Sequence, residues 1–288
     1  MRHCLSKLLF RTAAVPALSM FVMLSLAFAE EPGTEVKEPE PKPCAPSTFE
    51  WGAGLLSLRM NHYRGSDQYK NYIIPSPYFK YRSENLEAET SYVRGTLYKN
   101  EYLILKMSFM IGLSVESEEN RAREGMPDLG YMLETGPMLI VRLWESEGRA
   151  HLLTLESPVR YVFATDFTGV EPVGVLGLPY LNVTSFSRGY TLGWKSELSV
   201  ALMVGSRGYH DYFYTVPAKY ARPERPEYRA RGGYSGLQIA WILERRFGPV
   251  QLIPILRWDY LRYAAFEKSP LVKTKHYFAA GLGSFYLF

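Results

Sequence analysis

The sequence predicts an all-β chain closed into an antiparallel, up-and-down transmembrane barrel. Three observations predict it: period-two alternation over long segments, an export signal at the N-terminus, and an alternating run that ends on an aromatic residue at the C-terminus. Alternation puts successive side chains on opposite faces of a strand, so each segment carries one greasy and one polar face. The chain has 288 residues, 47% hydrophobic and 15% aromatic, which is far too apolar for a disordered protein.

Residues 1–29 read as a cleaved signal peptide. Arg2, Lys7 and Arg11 precede an apolar run from Ala13 to Ala29, and Ala27-Phe28-Ala29 supplies the small-x-small cleavage pattern. Without these basic residues the chain holds 30 Lys+Arg against 29 Asp+Glu, a balance that excludes the concentrated basic face of a nucleic-acid binder. Residues 30–48 are rich in proline and glutamate and hold no aromatic residue, the composition of a disordered periplasmic tether. Cys4 and Cys44 are the two cysteines, too few for a disulfide framework or a Cys-rich zinc site. With no phosphate-cradling loop, acidic calcium loop or His/Cys cluster, the sequence implies no cofactor.

Residues 49–288 form the barrel. In 102–113, Leu103, Leu105, Met107, Phe109, Ile111 and Leu113 alternate with a set holding Lys106 and Ser108. In 152–163, Leu153, Leu155, Val159, Tyr161 and Phe163 oppose Thr154, Glu156 and Arg160; in 191–202, Leu192, Trp194, Leu198, Val200 and Leu202 oppose Lys195, Glu197 and Ser199. These segments run to about 10–14 residues, enough for a tilted strand to cross a bilayer, whereas soluble strands average about 5–6. Trp51, Trp144 and Trp194 near strand ends suit an interfacial girdle. Inside the barrel, Lys106, Glu134, Arg142, Glu156, Arg160, Lys195, Glu197 and Arg257 are the candidate lumen lining, with Asp259 beside them. The last strand ends Phe278, Leu282, Tyr286, Phe288 in alternation; Phe288 is the candidate signal to the barrel-assembly machinery.

Connections set the topology. Short turns fall at Ser83–Asn85, Glu145–Arg149, Ser185–Gly189 and Phe247–Pro249, long loops at 61–69, 115–130, 164–172, 204–233 and 264–273. Outer-membrane barrels keep short turns on the periplasmic side and an even strand count, so both termini are expected there. The apolar segments number eleven, and the conflict sits in 83–114. The preferred solution has ten strands, with 86–98 folded as a small hairpin inside or under the barrel; twelve is the alternative. Pro75, Pro77, Pro137, Pro158, Pro179 and Pro254 lack a ladder donor and mark bulges or breaks.

The run Glu119-Asn120-Arg121-Ala122-Arg123-Glu124-Gly125-Met126-Pro127-Asp128-Leu129 resembles the signature loop of the MltA-interacting protein (MipA/OmpV) family. Its context is similar too: Trp51-Gly52-Ala53-Gly54, Tyr63-Arg64-Gly65-Ser66-Asp67, Pro75-Ser76-Pro77-Tyr78-Phe79, Val93-Arg94-Gly95, Asp211-Tyr212-Phe213-Tyr214-Thr215-Val216 and Gly232-Gly233-Tyr234-Ser235-Gly236 follow in family order. The Pro/Glu tether and the stretch Arg222-Pro223-Glu224-Arg225-Pro226 depart from the pattern. The resemblance implies an outer-membrane barrel that scaffolds a lytic transglycosylase and a bifunctional penicillin-binding protein; members elsewhere are porin-like, immunogenic or adhesive. The 115–130 loop is densely and almost evenly charged, with Gly125-Met126-Pro127 forcing a turn, which makes Asn120, Arg121, Arg123, Glu124 and Asp128 candidates for a loop-fixing network or a partner contact.

Catalysis reads as the weaker alternative. His62 with Arg64, Ser66 and Asp67, or His210-Asp211 with Ser206, could be drawn as triads, yet neither histidine lies in a nucleophile motif. They read as loop residues facing water or lipopolysaccharide. The expected function is a non-catalytic scaffold in contact with outer-membrane lipid and murein hydrolase and synthase. A pore for small polar solutes is the alternative.

Overall fold

A computed structural model describes residues 47–90, 92–148, 150–187 and 193–288. The signal peptide and nearly all of the tether, Cys44 included, lie outside the described residues. Among the described residues period-two alternation becomes thirteen strands: β1 (Thr48–Asn61), β2 (Tyr69–Arg82), β3 (Leu86–Glu89), β4 (Tyr92–Lys99), β5 (Leu103–Gly112), β6 (Tyr131–Glu145), β7 (His151–Thr165), β8 (Val170–Gly177), β9 (Tyr180–Phe186), β10 (Trp194–Gly205), β11 (Gly233–Phe247), β12 (Val250–Tyr260) and β13 (His276–Leu287). Neighbours pair antiparallel in chain order, and β13 returns to pair with β1, so the sheet closes.

β8 and β9 both run antiparallel to β7, β8 against its second half and β9 against its first, with Pro179 between them. They are one wall position broken at the proline, which leaves twelve positions in the ring. The ten-strand arrangement is corrected to twelve. Segment 86–98 does fold as a hairpin, but in the wall: β3 pairs with β2 and β4 with β5. Its inner face explains the placement. Glu87 bonds Lys106 at 2.8 Å and Glu89 meets Lys80 at 3.5 Å, so charges that spoil a greasy face instead stitch the hairpin to its neighbours from inside.

That hairpin is short. β3 reaches Lys80, Tyr81 and Arg82 of β2, so among the described residues the edge of β2 from Tyr69 to Phe79 has no ladder partner on that side. Across the break stands the loop end of β5, because Tyr92 at the top of β4 pairs with Met110. Elsewhere prolines mark local faults. Pro137 sits where the β6–β7 ladder is interrupted between Thr135↔Tyr161 and Met138↔Pro158, and Pro254 where β11–β12 is interrupted between Ile242↔Ile255 and Arg245↔Leu252, the register staying the same across each break.

The outward face is apolar. Leu55, Ile73, Leu198, Val200, Leu202 and Leu282 all point away from the lumen, and Trp51 and Trp144 stand exposed near the turn end. Phe288 donates its N–H to the Trp51 carbonyl at 3.0 Å, with the rings 4.6 Å apart, so the terminal aromatic docks on the first strand.

Candidate functional site

Inside the barrel the structure describes a filled turn end, a cavity, and a cap of loops. At the turn end, Glu244 of β11 accepts from Lys80 of β2 at 2.9 Å and from Lys195 of β10 at 3.2 Å. On the closed side β12, β13 and β1 lie between β11 and β2, so this bridge crosses the bore. Lys195 also meets Glu197 at 3.0 Å. Tyr78, Phe285 and Leu287 pack beside it as an apolar cluster with Ile253.

Above lies a cavity of about 500 Å³. Of the sequence-predicted lumen residues, Glu134, Glu156, Arg160, Glu197 and Arg257 line it. Arg160 reaches Glu134 at 3.1 Å, and Glu156 accepts from Tyr180 at 2.6 Å and Thr154 at 3.1 Å. Lys106 and Lys195 lie away from the cavity in the ion pairs described. Arg142 falls on the inward parity of β6, beside a register shift at Arg142/Trp144.

The cap is built by 62–68, 113–130, 206–232 and 261–275. Its core holds Tyr63, Val115, Met126, Leu129, Tyr214, Val216, Phe266 and Leu271. Tyr214 and Phe266 stack at 3.6 Å between ring centroids. The large loop carries a helix, α1 (Arg207–Tyr214), which alternation could not signal: Ser206 caps it by accepting from the Tyr209 N–H, and Tyr209, His210 and Tyr214 share its buried side. Arg64 anchors the first loop downward, reaching Asp259 at 2.5 Å and the Ser235 carbonyl at 2.8 Å, while Arg257 grips the same carboxylate from the neighbouring inward position at 2.7 and 2.8 Å. Asp259 is fully buried.

The signature loop is held largely by main-chain oxygens. Arg123 donates to the Phe213 and Pro127 carbonyls at 3.1 and 2.9 Å and to the Ser117 hydroxyl at 3.1 Å. Asp128 accepts from the Ser117 N–H at 2.6 Å, and Asn120 donates to Ser66 at 2.9 Å. Arg121 and Glu124 stay near the rim, pairing with Asp67 at 3.5 Å and Arg222 at 3.7 Å. Gly125 turns the chain at φ +74°, where a side chain would be strained. Arg225, from the stretch that departs from the family pattern, fills the joint: its guanidinium donates to the carbonyls of Ala122, Glu124 and Tyr220. Burial pushes both the Arg123 and the Arg225 guanidinium pKa down.

The loop histidines do not face water, a correction to the sequence reading. His62 is 7% exposed and His210 fully buried. His210 Nδ1–H donates to the Arg231 carbonyl at 2.5 Å, which leaves Nε2 to accept from the Ser235 hydroxyl at 2.6 Å. Ser206 is spent as the helix cap, and Asp211 pairs with Arg207 and accepts from Thr215. Burial holds both histidines below their ordinary pKa, so each is neutral at pH 7. Among the described residues no group of three or more His, Cys, Asp or Glu could hold a metal ion.

Sequence reading alone missed Lys80, Glu244, Glu87 and Arg225. Each has a partner on another element, Glu87 on Lys106, Glu244 on Lys80, Arg225 on the carbonyls of Ala122 and Glu124, which a pattern read along one segment does not show. The earliest signal was Asp259 two positions from Arg257, both on one face.

Residues 52–288 match the family model of MipA, the MltA-interacting protein. No curated protein matches the chain. Among solved structures, the NanC porin in a rhombohedral crystal form aligns at 9% identity and a TM-score of 0.38, over 81% of this chain and 98% of that one. The outer-membrane protease OmpT from Escherichia coli aligns at 10% identity and a TM-score of 0.32, over 86% and 99%. Neither likeness adds to the fold described above. The family match runs through the whole closed barrel to its terminal Phe288: the protein is an outer-membrane barrel, and the chain belongs to the MltA-interacting protein MipA family.

Proposed function

We propose that this barrel is a non-catalytic scaffold. It would hold a lytic transglycosylase and a penicillin-binding synthase near the wall through its periplasmic turns and tether. The observation that carries this reading is the obstructed bore. Lys80, Glu244 and Lys195 span it above the periplasmic turns, and a packed cap closes the outer end. A barrel of about this size has little free width once long side chains cross it. The family description names an interaction with MltA, which supports the murein-hydrolase half of the reading. His210 and Ser235 pair like a base and a nucleophile, but both are buried under the cap, where no substrate meets them.

The pore reading draws on one observation, the charged cavity between plug and cap. Two experiments separate the readings. In planar bilayers the scaffold is expected to give no steady conductance steps, and regular open steps favour the pore. Purified transglycosylase and synthase are expected to co-elute with the barrel in detergent, and failure of both to do so removes the scaffold.

A further inference from the structure

The break beside β2 is built into the sequence. The Phe288 N–H bonds the Trp51 carbonyl, so odd-numbered backbone groups of β1 face β13 and even-numbered ones face β2. Register pairs even residues of β1 with even residues of β2, which turns the odd backbone groups of β2 toward the break. The Phe79 N–H and Pro77 carbonyl confirm this direction by bonding Thr90 at the hairpin tip, each at 3.2 Å. Pro75 and Pro77 are therefore two of the positions that would otherwise aim N–H groups into the gap, while Asn71 and Ile73 keep theirs. Unpaired donors in hydrocarbon cost several kcal/mol each, and proline removes them. Missing donors also blunt the edge against an added strand.

The break lies in the outer half of the wall. Pro75 pairs with Leu55 near the middle of β1, and the gap runs from there toward Tyr69 at the outer rim. Above it, the Glu119 carboxylate grips Lys70, and Gln68 accepts from the Arg121 N–H at 2.8 Å, so the loops bridge its top. Ile73 and Ile111 flank it as two of the barest large hydrophobics of the barrel, 73% and 71% exposed. A gap with such flanks opens to lipid.

Behind it, Tyr92, Met110 and Leu113 border the break and also line the cavity. So does Arg94, two residues below Tyr92, whose guanidinium lies 4.1 Å from the Tyr92 ring centroid. Among the described residues Arg94 makes no hydrogen bond or ion pair, whereas Arg160 and Arg257 are each paired with a carboxylate. A lone inward cation beside an apolar passage fits an amphiphile with a single negative charge. A dianion would meet Glu134 and Glu156 on the same lining. Cavities of about 300–1,000 Å³ take one drug-sized ligand, so a volume near 500 Å³ suits one chain and excludes a lipid with several.

We propose that the gap between β2 and β5 is a lateral port through which one fatty carboxylate passes from the outer leaflet into the cavity, its chain along Met110 and Leu113 and its carboxylate on Arg94. This stands apart from the scaffold reading and needs no murein enzyme.

The test uses the full-length protein in nanodiscs with a photoreactive hexadecanoate, followed by peptide mapping of the adducts. Adducts are expected on Tyr92, Met110 and Leu113. Unlabelled hexadecanoate is expected to compete about tenfold better than hexadecanol, the ratio that one charge-assisted pair supplies. Arg94→Gln should abolish that preference and Arg94→Lys keep most of it, with the heat-shifted band of the folded barrel retained in both. Labelling confined to outward residues such as Ile73 and Ile111 would reveal ordinary boundary lipid and overturn the proposal. Equal competition by the alcohol overturns it as well, and stronger competition by a lysophosphatidate overturns the carboxylate assignment. If Arg94→Gln does not fold, the acid-to-alcohol ratio on the unaltered protein decides.

Discussion

His210 shows how a single side chain ties the cap to pH. Burial disfavours its imidazolium, so the folded-state pKa lies below the ordinary value of 6.5. The unfolded cap then binds more protons than the folded one as pH falls below about 6.5. Stability contributed by the neutral ring is full above that pH and is lost as pH drops toward the depressed folded value. His62 acts in the same direction, again through burial. Hydrogen-exchange protection factors of segments 206–232 and 261–275, corrected for the intrinsic pH dependence of exchange, should therefore fall between pH 7 and pH 5, and His210→Gln should flatten that response. A cap equally protected at both pH values would refute it. Asp259 is the other decisive residue. Asp259→Asn leaves Arg64 and Arg257 without their shared charge, a change of the kind that costs about 3–5 kcal/mol. Exchange should rise in 62–68 first, because Arg64 holds that loop down.

Among the elements, the β3–β4 hairpin is the one the sequence placed least well. Glu87, Glu89 and Arg94 leave it no clean greasy face along its length. The structure satisfies two of these charges inward, on Lys106 and on Lys80 and Arg82. Pairing partners 19 residues apart or on another strand are invisible to a pattern read along one segment. Lys106→Met should consequently loosen the hairpin, leaving the Glu87 carboxylate unpaired, and lower the urea midpoint of the folded barrel in lipid. Pro75→Val with Pro77→Val should have a similar sign for another reason: it restores two N–H groups on an edge with no acceptor, about 1–3 kcal/mol each. An unchanged midpoint would mean that water or a neighbouring strand reaches that edge. Helix α1 was equally illegible, since eight residues inside a polar loop give alternation nothing to report.

For the whole molecule, the legible part was the part fixed by period two. Greasy rows, even closure and long loops on one side follow from a rule that holds along every strand. Strand count hung on one segment, and the cap and plug hung on long-range partners, which no pattern along a single strand reveals. The plug yields the most direct prediction at this scale. Shortening Lys80 and Lys195 to alanine in one protein removes both arms of the bridge and should raise conductance above that of the parent barrel. If the parent already conducts steadily, the plug does not obstruct. Phe288→Ser should reduce the amount of folded barrel recovered from outer membranes, because it removes the ring against Trp51.

Arg225 carries one more consequence. Its donors end on backbone oxygens of 122, 124 and 220, and every amino acid offers the same oxygen. Exposed side chains on the signature loop, Arg121 and Glu124 among them, can be exchanged without undoing the latch. The outer face of the loop is thereby free to vary its chemistry while keeping its shape.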